Sequence, residues 1–195
     1  YIISRLYSDG KNTDVQVGFE NMEAFGYTLL QKPLESLNIV YPDDRLDQED
    51  MKFDTKELVG KTGLARIMKS VETSSPLTRS GFEYKTQKYG RIFSPPEIGK
   101  YSGKIKHICD QIIGSTGVVM IYSQYIDGGL VPIALALEEL GFTRAGGNSL
   151  FKKPPTERID AVTLQPESSS ASEGKFSPAH YTMITGDKSL SPNNA

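Results

Sequence analysis

The stretch from Ser102 to Ala145 constrains this chain most, because elements of different hydrophobic period follow one another there with almost no loop between them. Ser102 is placed to cap a helix, its hydroxyl accepting from one of the free N–H groups of the first turn. Ile105, Ile108, Cys109, Ile112 and Ile113 recur at helical spacing and make one apolar face. Gly114-Ser115-Thr116-Gly117 ends that helix. Val118-Val119-Met120-Ile121-Tyr122 follows, a continuous apolar run with β-branched residues, which predicts a strand buried on both faces. Asp127-Gly128-Gly129 opens a second helix, with Pro132 in the first turn, where a missing N–H costs nothing. Ile133, Leu137 and Leu140 form its stripe, with Ala134 alongside. Gly141 predicts a left-handed cap and Phe142 a fold back onto the helix. A strand is expected from Phe142 to Ala145. Helix, buried strand, helix, strand is the order of an α/β fold with a mainly parallel sheet flanked by helices.

The remainder is less periodic. Residues 1–42 mix aromatic and aliphatic residues with turn formers and close on Leu37-Asn38-Ile39-Val40-Tyr41-Pro42, a β-prone run stopped by proline. The acidic stretch Asp43 to Asp50 reads as a solvated loop or helix start. Leu64, Ile67, Met68 and Val71 predict one amphipathic helix, after which Gly, Pro and Ser break up the sequence to residue 100. Residues 1–100 therefore read as an irregular, partly helical segment ahead of an α/β unit over 101–195. Within that unit, residues 146–177 carry Lys152-Lys153-Pro154-Pro155 and a Ser-rich run, and predict a surface insertion with a flexible stretch. Tyr181-Thr182-Met183-Ile184-Thr185 resumes the sheet and Gly186-Asp187 turns out of it. That last strand calls for neighbours the remaining residues do not supply.

Composition sets outer bounds. A length of 195 residues suffices for one ordinary domain. Lys plus Arg number 22 against 24 Asp plus Glu, a formal net charge of −2. That balance argues against nucleic-acid binding through bulk positive charge and leaves room for a few placed contacts. One Cys excludes a disulfide framework and a four-Cys zinc site, and the separated His107 and His180 argue against a His-based metal site. No apolar run approaches the ~20 residues that cross a bilayer. The chain opens on Tyr1 with no charged-then-apolar leader, so the expectation is a soluble piece from a reducing compartment, neither secreted nor membrane-bound.

Few residues invite chemistry. Gly60-Lys61-Thr62 has Thr55 where a phosphate loop needs its first glycine, and the residues before it do not read as a buried strand, so it predicts a chance tripeptide in a turn. Cys109 lies on an apolar stripe and reads as a core thiol; His107 falls on the exposed flank. Glu138 and Glu139 read as solvated carboxylates. No self-sufficient catalytic centre can be assembled. Ser123-Gln124 is different, since two polar side chains follow directly on a predicted strand, at the edge where open α/β sheets bind ligands. Gly128 and Gly129 permit close backbone approach there. Thr185 and Gly186 end the later strand in the same way.

These residues resemble a known family. Ser102-Gly103-Lys104-Ile105, its helix and Val118 through Gln124 resemble the start of the second motor lobe of Snf2-like superfamily 2 helicases. There a Ser-Gly-Lys-Leu helix precedes a hydrophobic strand ending in Phe-Ser-Gln. Leu137 to Phe142 resembles the helix and Gly-aromatic segment that follow, and Met183 to Asp187 the next strand and its glycine turn. More narrowly, four segments are similar to helicases of large nucleocytoplasmic DNA viruses, which are similar to poxvirus early-transcription-factor and nucleoside-triphosphatase subunits. They are Lys32 through Pro42, Tyr89-Gly90-Arg91-Ile92-Phe93-Ser94-Pro95, Tyr122 through Gly129, and Thr185 through Asn194.

The resemblance implies a partial RecA-like lobe over 101–195 and a family-specific segment over 1–100. It implies a parent that hydrolyses ATP with Mg and moves along nucleic acid, DNA foremost, with Ser123, Gln124 and, by analogy, Thr185 and Gly186 touching backbone phosphates. Implied partners are the first motor lobe of the same polypeptide and viral transcription machinery, in a cytoplasmic viral factory or the virion. The family's phosphate loop, acidic metal-binding motif, late Gly-Asp-type motif and arginine-bearing motif have no counterpart here. The implied chain is thus a fragment with no catalytic residues and no cofactor of its own. Two rival expectations stand beside it. One is a non-catalytic α/β interaction module that binds a protein through the insertion or residues 43–50; the other is a nucleotide-binding enzyme using Gly60-Lys61-Thr62.

Overall fold

The structure, a computed structural model, describes residues 30–47, 54–71, 81–85, 87–146, 149–170, 176–187 and 190–191. Its elements begin with a helix over 30–36 (α1) and 3₁₀ turns at Asp44–Asp47 and Thr55–Leu58. Helix Gly60–Ile67 (α2), strands Met68–Val71 (β1) and Gly81–Tyr84 (β2), the helical turn Ile98–Tyr101 (α3) and helix Gly103–Gly114 (α4) come next. A π-helical turn at Ile126–Leu130 then runs into helix Val131–Glu139 (α5), followed by strand Thr143–Arg144 (β3), the helical turn Glu167–Ser170 (α6) and strand His180–Tyr181 (β4).

The punctuation residues act as expected. Ser102 accepts from the Ile105 amide at 2.9 Å and so caps α4. The same hydroxyl donates to the Asn38 carbonyl, and Val40 N–H donates to Tyr101 O at 3.1 Å, fastening the early segment to the later one. Along α4, Ile105 and Cys109 are buried, Ile108 and Ile112 half-buried, and His107 exposed. Gly141 has φ +98°, and the bonds from Gly141 N to Glu138 O and from Phe142 N to Leu137 O close the end of α5. Helix α5 is buried over its whole length, not on one stripe, because it runs through the middle of the molecule.

One apolar cluster joins Ile39, Tyr41, Ile67, Phe93, Ile105, Leu135, Phe151 and Leu190, so residues from both sides of position 100 share a core. The fold is mixed α/β with two small sheets among the described residues. Strands β1 and β2 pair antiparallel, and β3 pairs with β4 in parallel, Thr143 opposite His180 and Arg144 opposite Tyr181. Thr143–Arg144 falls within the strand expected over 142–145, whereas of the strand expected over 181–185 only Tyr181 is in a strand and residues 182–185 are irregular.

Several expectations are corrected. Val118–Tyr122 is not a strand and is not buried on both faces: no backbone hydrogen bond joins it to a described residue, and Val118, Met120 and Tyr122 are 101%, 93% and 89% exposed. Its apolar composition matches a central strand, but no neighbouring strand among the described residues pairs with it. Leu64 and Ile67 lie in α2, but the helix stops at Ile67 and Met68 and Val71 belong to β1. The run 37–42 forms no strand; Ile39 and Tyr41 are buried from irregular backbone. Residues 149–152 of the predicted surface insertion are not loosely attached. Leu150 and Phe151 enter the core, and the bonds from Phe82 N to Leu150 O and from Lys152 N to Phe82 O dock them on β2. The predicted flexible stretch lies partly outside the described residues, as do the end of the acidic run and residues 1–29. Asp43 is not solvated: it is buried and receives Arg45 Nε at 2.9 Å and Nη2 at 2.7 Å, with Arg66 as a further partner.

Glu138 and Glu139 depart furthest from expectation, being 4% and 2% exposed. Glu138 accepts from Ser149 Oγ (2.6 Å), Leu150 N (2.7 Å), Phe151 N (2.9 Å) and Tyr181 Oη (2.7 Å). Glu139 accepts from Tyr84 Oη (2.6 Å) and from Arg91. The C-terminal end of a helix disfavours negative charge. Four donors around one carboxylate and an ion pair plus a phenol around the other outweigh that penalty, since hydrogen bonds to charged groups contribute about 1.5–3 kcal/mol each. Glu138→Ala strands the donors of residues 149–151 and of Tyr181, and should lower unfolding free energy by about 3–5 kcal/mol in urea titration. A loss below about 1 kcal/mol would contradict this role.

Of the carboxyls that folding depresses, which include Asp44 beside Lys88 and Tyr89, Asp43 and Asp160 are held lowest. The Arg45 guanidinium holds the Asp43 carboxyl well below the usual carboxylate range against the opposing effect of burial, and Arg66 adds to it. The amides of Ser177, Thr163 and Val162 hold Asp160 down at about 2. Carboxyls depressed by folding stabilise fully above their unfolded value of about 3.9 and lose that contribution as pH falls through the folded value. The urea midpoint should therefore hold between about pH 7 and pH 5 and drop between about pH 4 and pH 2. The drop should be shallower in Asp43→Asn and Asp160→Asn; unchanged slopes in both would contradict the assignment.

Candidate functional site

The irregular run 115–123 follows α4, and no backbone hydrogen bond joins its residues 118–122 to the β3–β4 pair. An apolar groove of about 970 Å³ lies between them. Ile112 and Ile113 of α4, Leu130, Ile133, Ala134 and Leu137 of the π turn and α5, and residues 180–184 line it, with Ala161, Val162 and Leu164 from the turn that Asp160 organises. Five large hydrophobic residues are at least 86% exposed among the described residues: Val118, Met120, Tyr122, Val162 and Ile184. All five line this groove.

Burial along 118–122 alternates. Ile121 is half-buried and packs on the core and Val119 is 45% exposed, while Val118, Met120 and Tyr122 point away. That period of two is the signature of a strand. The far border has an unpaired edge as well. Ala179 O accepts from Thr143 N and Tyr181 O from Ala145 N, both at 2.8 Å, so these carbonyls point at β3, while Ala179 N–H donates to Ile159 O at 2.8 Å. Alternate residues of a strand address opposite edges. His180, Thr182 and Ile184 are thereby turned to the other edge, and neither Thr182 nor Ile184 has a backbone hydrogen bond to a described residue.

The sequence-predicted site residues sit where these two borders end. Ser123 lines the groove, half-buried, and its hydroxyl closes a turn by accepting from Tyr125 N at 3.1 Å and donating to Tyr125 O at 3.2 Å. Gly129 packs beneath it, and a Cβ there would meet Ser123 Oγ at 2.4 Å. Gln124 is exposed. Thr185 follows Ile184 and builds a matching turn, its hydroxyl accepting from Asp187 N and donating to Asp187 O, both at 3.1 Å; Ser191 Oγ accepts from Thr185 N at 2.6 Å. Gly186 is exposed, with open space where a Cβ would stand. Two hydroxyl-closed turns therefore flank one groove, each with an exposed residue at its tip.

The other positions marked by the sequence do not form a site among the described residues. The residues before Gly60-Lys61-Thr62 form a 3₁₀ turn, not a strand, and Glu35 fills the space over Gly60, where a Cβ would lie 2.8 Å from Oε1. A carboxylate in that position repels phosphate, so these residues do not fit the phosphates of ATP. Burial pushes the Cys109 thiol up to about 11, which keeps it a protonated core residue. Among the described residues no group of three or more His, Cys, Asp or Glu could hold a metal ion, and no helix is long and apolar enough to cross a membrane. The one sequence signal for the groove is the apolar run Val118–Tyr122, too long and too β-branched for an exposed segment. No family model, curated protein or solved structure matches this chain.

Proposed function

We propose that this chain is the first half of the nucleic-acid-gripping, RecA-like second lobe of a Snf2-like superfamily 2 helicase or translocase, viral and linked to transcription. The order of capped helix, apolar run, helix and parallel strand pair supports the reading. The observation that carries it is the pair of polar turns, Ser123-Gln124 and Thr185-Gly186, set at the ends of the two strand-like borders of one groove. In this reading the Gln124 amide and the Gly186 N–H donate to backbone phosphates of DNA, and the Ser123 and Thr185 hydroxyls do so by exchanging their Tyr125 and Asp187 carbonyl acceptors for phosphate oxygens, which positions a strand without reading its sequence. ATP and Mg belong to the parent's lobe interface, where arginines outside this chain would stabilise the transferring phosphoryl group. The first motor lobe and the viral transcription machinery, in a viral factory or virion, are the corresponding partners. On this reading the chain by itself hydrolyses nothing.

The test is fluorescence anisotropy with labelled single-stranded and duplex DNA of unrelated sequences at low salt. Binding should be weak, indifferent to sequence and weakened further as salt rises. It should weaken about three- to tenfold in the Ser123→Ala/Gln124→Ala double variant, the scale of one or two lost hydrogen bonds. The Lys61→Ala variant should bind DNA as the unsubstituted chain does, and the unsubstituted chain should show no saturable ATP binding. Equal DNA affinity in the double variant would contradict the phosphate-contact role. A second reading, a non-catalytic α/β module that binds a protein segment, is favoured by the groove with its five exposed hydrophobic residues.

A further inference from the structure

We propose that Ser191 is a positioning residue for the phosphate contact at Thr185-Gly186. It engages the main chain of that turn, so that the Thr185 hydroxyl and the Gly186 N–H are the donors that meet an incoming backbone phosphate. This role rests on the nucleic-acid reading of the two polar turns and adds to it a residue that itself touches no ligand.

Ser191 is 5% exposed and lies six residues beyond Thr185. Its hydroxyl oxygen accepts from Thr185 N at 2.6 Å, and its single proton has two carbonyls in reach, Thr185 O at 3.0 Å and Met183 O at 3.2 Å. The Ser191 N–H donates to Asp187 O at 3.0 Å, beside that of Leu190 at 2.9 Å. Leu190 is fully buried and its carbonyl accepts from Arg144 Nη2 at 2.8 Å, which ties this clasp to β3. Gly186, at the tip, is exposed, has open space where a Cβ would stand, and has no hydrogen bond from its N–H to a described residue. A phosphate can therefore approach its backbone closely.

The same clasp makes the Thr185 hydroxyl easy to release. A hydroxyl drawn away from a carbonyl strands that acceptor unless another donor stays behind. Asp187 O keeps two, the N–H groups of Leu190 and Ser191, when the Thr185 hydroxyl turns to a phosphate oxygen. Tyr125 O likewise keeps Leu130 N at 3.0 Å when the Ser123 hydroxyl turns away. Both turns can thus exchange a partner without leaving a carbonyl unpaired. They differ in their backing: Gly129 packs beneath Ser123, whereas a side-chain hydrogen bond from a distant residue holds Thr185.

The test is anisotropy with labelled single-stranded DNA on the full chain and on Ser191→Ala, Ser191→Cys and Ser191→Thr, with the thermal midpoint of each. Ser191→Cys keeps nearly the same volume with a poor acceptor, and so serves where Ser191→Ala fails to fold. DNA affinity should fall about three- to tenfold in the Ala and Cys variants, the scale of one or two lost hydrogen bonds. It should be retained in Ser191→Thr, which keeps the hydroxyl. In the Thr185→Val/Gly186→Pro background, which lacks both donors, adding Ser191→Cys should weaken binding no further, because Ser191 acts through them. Unchanged affinity in both the Ala and the Cys variant would overturn the positioning role and leave the nucleic-acid reading standing. So would a loss by the same factor in both backgrounds, which is what a merely structural residue would give. An equal loss in Ser191→Thr at an unchanged thermal midpoint would overturn it as well. No DNA binding by the unsubstituted chain would overturn the nucleic-acid reading itself, and the role of Ser191 with it.

Discussion

Two adjacent carboxylates at the end of one buried helix hold this molecule together. Helix α5 runs through the core, and its last two residues, Glu138 and Glu139, reach in different directions. Glu138 collects the backbone of 150–151, the Ser149 hydroxyl and Tyr181 of β4. Glu139 collects Tyr84 of β2 and Arg91. The antiparallel sheet, the segment after β3 and the parallel pair are all referred to the same helix turn. Replacing either carboxylate by a hydrophobic residue of similar size would remove the desolvation penalty but would leave its donors without an acceptor, residues 149–151 and Tyr181 for Glu138, Tyr84 and Arg91 for Glu139. Thr156 strengthens the same point by donating its hydroxyl to the carbonyls of Glu138 and Glu139 at 3.1 and 3.2 Å.

This arrangement fixes one side of the parallel pair and leaves the other open. Tyr181 is held by Glu138 through its hydroxyl and by β3 through its backbone, so β4 is anchored from α5 outward. Nothing comparable draws Val118–Tyr122 toward β4. Ile121 packs on the core, which keeps the run against the body of the molecule, but its backbone has no partner among the described residues. A groove with two unpaired borders is the geometric result. The polar turns of Ser123 and Thr185 belong to the ends of those borders, so whatever fills the groove would also set the spacing between the turns.

Much of this was legible in the sequence, and the rest was hidden for definable reasons. Ser102 as a cap, Gly141 as a left-handed terminus and Cys109 as a core thiol each follow from local geometry or helical periodicity, and local signals survive whatever the tertiary context is. The parallel partnership of residues near 143 and 181 follows from the α/β order. Glu138 and Glu139 read as solvated because charged residues are buried only when paired, and their partners Leu150, Phe151, Tyr84 and Arg91 are 12 to 55 residues away. The run 118–122 shows the converse. Its composition specifies a central strand, but composition cannot supply the neighbouring strand that burial needs. Helix α2 ends at Ile67 because Met68 pairs with Tyr84, a contact that overrides the helical spacing of Leu64, Ile67, Met68 and Val71.

The account's central claim is that a carboxylate-anchored core coexists with an unpaired strand edge, and residue-resolved amide hydrogen exchange on the intact chain measures both at once. The amides of Leu150 and Phe151, which donate to Glu138, and those of Thr143 and Ala145, which donate to Ala179 and Tyr181, should exchange slowly, near the rate set by global unfolding. Those of Val118, Met120, Tyr122, Thr182 and Ile184 should exchange close to the rate of an unstructured peptide. Slow exchange across Val118–Tyr122 in the free chain would show that the edge is already paired, and fast exchange at Leu150 and Phe151 would show that Glu138 is not the anchor.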